Sequence, residues 1–262
     1  CSTPMSYFAN GKLGADASIM ITASHNPPEW NGFKLCREQA IPISGDTGIK
    51  DIEQIVNTRR YDPPAARAGT VSTCDILPEY VRHVQAAVPR SKSLRIAVDF
   101  ANAMGIYEAR CFEGRLEIDR LYGDLDGRFP NHEANPLKTE TLKALQDLVR
   151  KGRYAFGVAF DGDADRAGFV DEQGRIIPMD MITALIAQSI LRKEKAPVFY
   201  DLRSSWSVKE VIQAAGGQPM MSRVGHAFIK QQMRQAKAIF AGELSGHYYF
   251  RDNFYCDNGF IP

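Results

Sequence analysis

The feature that most constrains this chain is an acidic hexapeptide set between two apolar segments. Residues 155–160 and 167–171 read as short strands. Between them stand Asp161, Asp163, Asp165 and Arg166, with Gly162 and Ala164 in the gaps. In an extended chain, side chains two residues apart lie about 6.5 Å apart. Three carboxylates therefore reach one ion only if the loop curls, and the two small residues permit that. Carboxylates drawn together repel unless a cation neutralises them. An all-oxygen set suits a hard ion, Mg²⁺ in particular, which takes a few carboxylates and completes its shell with phosphate or water. A solvated acidic turn is the plain alternative, and three Asp with an Arg between apolar strands weigh against it. A calcium loop is a sharper one, since Asp161, Asp163, Asp165 and Glu172 fall at its first, third, fifth and twelfth places. Arg166 occupies the sixth place, where the turn needs Gly, and the flanks read as strands, which excludes it.

The rest of the chain alternates in the same way. Helical spacing is expected over 47–56, 78–88, 139–149, 181–193, 207–215 and 227–235, with Thr139 as an N-cap and Gly216-Gly217 as a stop. Strands are expected over 18–22, 32–35, 94–99, 155–160, 167–171, 198–201, 238–241 and 248–250. Alternation of this kind implies the α/β class, here as successive three-layer α/β/α domains with mixed or mostly parallel sheets. Residues 57–71, rich in Arg, Pro, Ala and Gly, read as a linker, and the pattern begins again after Pro178. The expected domains are 1–70, 71–177 and 178–262. The chain starts at Cys1 without a signal-peptide pattern and stops at Pro262, where a helix is expected to begin, so both ends are expected to be truncated.

Composition excludes several partners. Lys plus Arg is 32 against 31 for Asp plus Glu, a net charge of +1, which offers no general attraction to nucleic acid or acidic lipid. No uninterrupted apolar run reaches the ~18 residues of a membrane helix. The five cysteines, Cys1, Cys36, Cys74, Cys111 and Cys256, are odd in number and widely spaced, as suits reduced thiols in a cytoplasmic protein.

Two further loops carry chemistry. Thr22-Ala23-Ser24-His25-Asn26-Pro27 places a hydroxyl, an imidazole and an amide at the end of a strand, where open α/β sheets hold their sites. There is no GxSxG elbow to support an esterase. A serine that carries a phosphate instead needs a cation for its anionic oxygens and an acid or base for the incoming hydroxyl, which His25 and Lys34 could supply. An isolated N-cap or turn serine is the simpler alternative for this loop. In Gly242-Glu243-Leu244-Ser245-Gly246-His247, an extended loop would aim Glu243, Ser245 and His247 the same way, a set suited to sugar hydroxyls. Arg203 and His226 also fall at loop positions.

Together the three loops resemble the α-D-phosphohexomutase family, in its phosphomannomutase/phosphoglucomutase branch. Asn31-Gly32-Phe33-Lys34 and Phe129-Pro130-Asn131-His132-Glu133-Ala134-Asn135-Pro136 add to the likeness. The resemblance implies a mutase that interconverts hexose 1- and 6-phosphates through a hexose 1,6-bisphosphate. It implies that Ser24 is the phosphoserine and that Asp161, Asp163, Asp165 and the Ser24 phosphate hold Mg²⁺. Arg166 would orient the phosphoserine, and Lys34 and His25 would be the acid/base candidates. Glu243, Ser245, His247, Arg203 and His226 would meet the sugar. Family members have a fourth domain with a phosphate-binding loop, which this chain lacks, so the chain alone is expected to be nearly inactive. A phosphoglucosamine mutase and a non-catalytic binder of metal or sugar phosphate are the alternatives.

Overall fold

A computed structural model describes residues 1–87 and 94–262. The chain opens with helix α1 (Thr3–Leu13), whose capping is written in its sequence. The Ser2 side chain accepts from the Met5 amide, a proline follows in the first turn, and Gly14 ends the helix at φ 63°. A hairpin follows, β1 (Ala17–Ile21) antiparallel to β2 (Phe33–Arg37), joined by the serine loop. The apolar residues Ile19, Ile21 and Phe33 of this pair are exposed, because nothing among the described residues covers their outer face. Helix α2 (Lys50–Thr58) is preceded by a wide turn, and its apolar residues Ile52, Ile55 and Val56 are likewise exposed.

Helix α3 (Leu77–Ala87) leads into the first of two five-stranded sheets; Val88, also expected to be helical, lies outside the described residues. The sheet runs in the order β4 (Leu116–Leu121), β3 (Leu94–Asp99), β5 (Gly157–Phe160), β6 (Ala167–Val170), β7 (Ile176–Ile177). Strand β3 is parallel to β4 and β5, whereas β5–β6 and β6–β7 are antiparallel. Helix α4 (Lys143–Lys151) lays Leu145 and Val149 on this sheet. It approaches closely at Gly157, where a Cβ would come within 2.9 Å of both side chains. Thr139 does not cap the helix; it starts a 3₁₀ turn in which Thr141 Oγ1 donates to the Lys138 and Asn135 carbonyls.

After helix α5 (Met179–Leu191) the scheme recurs. Strand β8 (Pro197–Asp201), helix α6 (Trp206–Ala214), strand β9 (Gln218–Ser222), helix α7 (His226–Ala236) and strands β10 (Phe240–Gly242), β11 (Tyr248–Phe250) and β12 (Cys256–Asp257) follow in chain order. The second sheet is ordered β12-β11-β10-β8-β9. Here too the strand next to one edge, β8, is parallel to its two neighbours, and a hairpin then adds two antiparallel strands. Both sheets are thus mixed. Residues 258–262 form no helix, although Asn258 Oδ1 accepts from the Phe260 and Ile261 amides as an N-cap does. No helix among the described residues is long and apolar enough to cross a membrane, and all five cysteines are free thiols.

One buried polar chain ties the parts together. Tyr80 on α3 donates to Glu108 Oε2 at 2.6 Å and accepts from Asn258 Nδ2 at 2.7 Å. Burial pushes the Glu108 carboxyl up to about 8 against the pull of the Tyr80 hydroxyl. The neutral acid is therefore the form the fold prefers. Unfolding releases its proton between the ordinary 4.5 and about 8, so this group's contribution to stability is full below that window and declines as pH rises through it. The Glu108→Gln variant keeps the shape without the proton. Urea unfolding should show the unmodified chain losing stability relative to Glu108→Gln from pH 4.5 to 8, by an amount on the order of a few kcal/mol.

Candidate active site

The acidic loop leaves β5 at the carboxyl edge of the parallel strands and curls as its spacing requires. The Ala164 amide donates to the Asp161 carbonyl, and Ala164 itself turns through φ 62°. All three aspartates are buried, at 0–1% exposure, so their charges must be met by protein groups or by an ion. Asp163 Oδ2 accepts from Thr3 Oγ1 at 2.6 Å, Thr22 Oγ1 at 3.1 Å and Lys34 Nζ at 2.6 Å. Lys34 Nζ also lies 2.5 Å from Asp165 Oδ2. Burial alone would lower the Lys34 pKa, but Asp165 and Asp163 overcome it and hold the ammonium well above the usual lysine range. Asp161 has less help. Burial, with repulsion from Asp165 and Asp163, raises its carboxyl well above the ordinary value.

Oxygen atoms remain unused in this cluster. Asp163 Oδ1 and Asp165 Oδ1 are buried without a hydrogen-bond donor, and one carboxylate oxygen from each of the three aspartates lies within 4.8 Å of the others. Three converging carboxylates with orphaned oxygens fit a hard divalent cation, which would also favour the charged form of Asp161.

Ser24 stands over this cluster. Its Oγ is 3.4 Å from Asp161 Oδ2 and 3.2 Å from His25 Nδ1. The Ser24 backbone sits at φ 55°, a left-handed conformation uncommon outside glycine, held by the Ser24 amide donating to Thr22 Oγ1 at 2.8 Å. The two loops meet backbone to backbone, since a Cβ on Gly162 would fall 2.1 Å from the Ser24 carbonyl oxygen. Burial, then the charge of Arg166, lowers the His25 pKa, which favours a neutral imidazole beside the hydroxyl. Asn26, Pro27, Trp30, Met104 and Phe129 line an open groove of about 560 Å³ next to Ser24.

The third loop is a tight turn, and this corrects the extended reading. The Gly246 amide donates to the Glu243 carbonyl, and Gly246 takes φ 81°. Glu243, Ser245 and His247 therefore do not point together. Glu243 Oε2 accepts a short hydrogen bond from Tyr249 and Oε1 accepts from the Gly225 amide, beside His226. Ser245 is half-buried. His247 turns instead to the acidic loop, where its Nε2 lies 2.9 Å from Arg166 Nε and its backbone forms a β-bridge with Arg166. Arg203 pairs with Asp201 at 2.6 Å, and Asp201 also accepts from the Leu244 amide, so these residues share the carboxyl edge of β8 and β10. His226 is exposed at its surface, yet the packing around its ring, with the charge of Lys230, lowers its pKa from the ordinary value.

Ser24, His25, Lys34, Asp161, Asp163, Asp165, Arg166 and His247 thus form one cluster, while Arg203, His226, Glu243 and Ser245 belong to the neighbouring edge. Thr3, Lys230 and Asp257 entered no sequence reading. Lys230 carried a signal, since it adjoins the apolar residues Ile229 and Met233 on α7.

The phosphoglucomutase/phosphomannomutase alpha/beta/alpha domains I, II and III match residues 1–62, 78–174 and 178–262 respectively. The chain belongs to the phosphoglucomutase/phosphomannomutase family. A phosphomannomutase of Escherichia coli is 40% identical over 268 residues, covering 98% of this chain and 59% of that protein. A phosphohexose mutase of Xanthomonas campestris pv. campestris is 39% identical, covering 100% and 59%. The crystal structure of a family protein from Burkholderia thailandensis superposes with a TM-score of 0.92 at 32% identity, over 99% of this chain and 58% of that one. The chain therefore spans a little under three fifths of the length of these relatives.

Two outcomes test the site. Asp163→Ala should weaken Mg²⁺ binding, read by titration calorimetry, by at least about tenfold. Gly162→Ala should push the serine loop away and cost roughly 1–3 kcal/mol in a urea unfolding measurement.

Proposed function

We propose that the protein works as a phosphohexomutase that interconverts the 1- and 6-phosphates of mannose, glucose or both, with Ser24 as phosphoryl carrier and Mg²⁺ held by Asp161, Asp163 and Asp165. The observation that carries this reading is the approach of Ser24 Oγ to within 3.4 Å of a buried aspartate triad 137 residues later in the chain.

The chemistry follows from the neighbours. In the forward half, the bond between Ser24 Oγ and phosphorus breaks and a sugar hydroxyl oxygen bonds to phosphorus, giving a bisphosphate, while the hydroxyl proton passes to a base. In the second half the bond between the other phosphorus and its sugar oxygen breaks, Ser24 Oγ bonds to that phosphorus, and the proton held by the base passes to the freed sugar oxygen. His25, kept neutral by burial and by Arg166, can accept a proton at Nδ1, which faces the serine oxygen. Lys34 stays charged between Asp163 and Asp165 and is suited to offset negative charge on the transferring group. A bound Mg²⁺ would supply further neutralisation of the phosphoryl oxygens. Arg203, His226, Glu243 and Ser245, on the adjacent edge, would meet the sugar hydroxyls. Placing sugar recognition away from the carrier lets one sugar present either end to it. We assign these roles to segments 1–70, 71–177 and 178–262 as three successive domains of one enzyme, acting in the cytoplasm.

In a protein of the relatives' full length, Ser24→Ala should lose phosphoryl exchange by at least about a thousandfold. Mass spectrometry after exposure to glucose 1,6-bisphosphate should find the phosphate on Ser24 in the unmodified protein and nowhere in the variant. Near-normal conversion of mannose 1-phosphate or glucose 1-phosphate by Ser24→Ala would overturn the assignment. Preferential turnover of glucosamine phosphate would move the substrate class.

A further inference from the structure

Behind the acidic loop runs a buried chain of charges that the phosphoryl chemistry above does not use. Lys230, fully buried on α7, places its Nζ 2.6 Å from Asp257 Oδ1 and 3.9 Å from the centre of the Tyr7 ring. Asp257, 1% exposed, places its other oxygen 2.8 Å from His247 Nδ1. His247 Nε2 in turn lies 2.9 Å from Arg166 Nε. Arg166 Nε is 3.7 Å from Asp161 Oδ2, the same oxygen that Ser24 Oγ approaches.

The chemistry of the ends dictates where the imidazole proton sits. A guanidinium nitrogen can only donate, so Nε2 must offer its lone pair to Arg166. With Nε2 accepting, a neutral ring carries its hydrogen on Nδ1, which lies at ion-pair distance from carboxylate oxygens of Asp257 (2.8 Å) and Asp165 (3.6 Å). A buried ion pair is a weak source of stability, and apolar side chains of similar size often serve as well or better. A fully buried Lys–Asp pair whose far oxygen faces His247, and through it Arg166 of the acidic loop, therefore calls for another use. Fixing a ring tautomer through the second nitrogen is a use that such pairs have in other sites.

Resting on the mutase reading, we propose that Asp257 and Lys230 are positioning residues for Arg166. Lys230 pins Asp257, and Asp257 holds His247 in its Nδ1–H tautomer. The free Nε2 then fixes Arg166 through its Nε, leaving both terminal NH₂ groups of the guanidinium to meet the phosphate on Ser24. No hydrogen bond or ion pair joins Asp257 or Lys230 to Ser24, Asp161 or Asp163, and a carboxylate oxygen of Asp257 comes within 4.8 Å of one of Asp165.

Nuclear magnetic resonance on the ¹⁵N-labelled 262-residue chain tests this directly. The expected result is a protonated Nδ1 and a lone-pair Nε2 on His247, with a scalar coupling across the hydrogen bond to Arg166 Nε. An Nε2–H tautomer overturns the proposal, whatever any variant does. Asp257→Leu combined with Lys230→Met removes both charges together, which avoids stranding either one. In that variant the Arg166 Nε–H should exchange with water at least about tenfold faster. Labelling of Ser24 by glucose 1,6-bisphosphate should slow by about tenfold or more, with the half-saturating concentration little changed. If the two residues act through Arg166, the same double change in an Arg166→Ala background should add almost nothing. Losses that multiply instead would assign the pair a merely structural role and overturn the proposal. Should the unmodified protein take no label on Ser24 at all, the mutase reading fails, while the tautomer and exchange measurements still decide the relay.

Discussion

Three carboxylates are packed into a space without water, and the rest of this structure is arranged around making that tolerable. Asp161, Asp163 and Asp165 are each essentially inaccessible. The groups that answer them come from every part of the chain: Thr3 from α1, Thr22 and Lys34 from the hairpin, His247 from the second large sheet. Such a cluster cannot form from its own segment alone, because isolated burial of charge is prohibitive. The acidic loop is therefore both the candidate metal site and the point at which the three parts of the chain are joined. Where the answering groups run short, at Asp161, Asp163 Oδ1 and Asp165 Oδ1, the remaining demand is for a cation.

The two large sheets place their loops by the same device. In each, the strand next to one edge is flanked by two parallel neighbours, and a hairpin then adds two antiparallel strands. The acidic turn joins β5 to β6, and the Glu243 turn joins β10 to β11, so the two turns occupy equivalent places. In each sheet a helix packs closely where a glycine leaves room: Gly157 beneath Leu145 and Val149, and Gly242 beneath Thr183. The serine loop is the turn of a third hairpin. Three like turns from three units converge, and the Arg166–His247 bridge stitches two of them together.

Much of this was legible in the residues. Alternating apolar runs located most strands and helices to within a few residues, and three carboxylates in six positions marked the loop that matters. What the sequence concealed has physical reasons. Helix α1 carries its caps at Ser2 and Gly14 but lacks a regular apolar stripe, so periodicity passed over it. Strands β4, β9 and β12 alternate too weakly, or are too short, to stand out. The hairpin around Ser24 is apolar but exposed, and apolarity alone does not say what covers a face. Glu243 and His247 share a parity that predicts a common direction only for an extended backbone, and the turn at Gly246 removes that condition. The Lys230–Asp257 pair joins residues 27 positions apart, a relation no local pattern encodes.

The seam between the parts has a property that follows from its depth. Ions in solution weaken attraction between charges they can surround, and they cannot surround Lys230 or Asp257. Pairs at the rim, such as Arg251 with Glu194, lie open to the solvent and will loosen as electrolyte accumulates. The inner contacts will not. A concentrated brine would thus fray the outside of this molecule while its three turns remained in register, so the geometry on which Ser24 depends is insulated from the ionic weather of its surroundings.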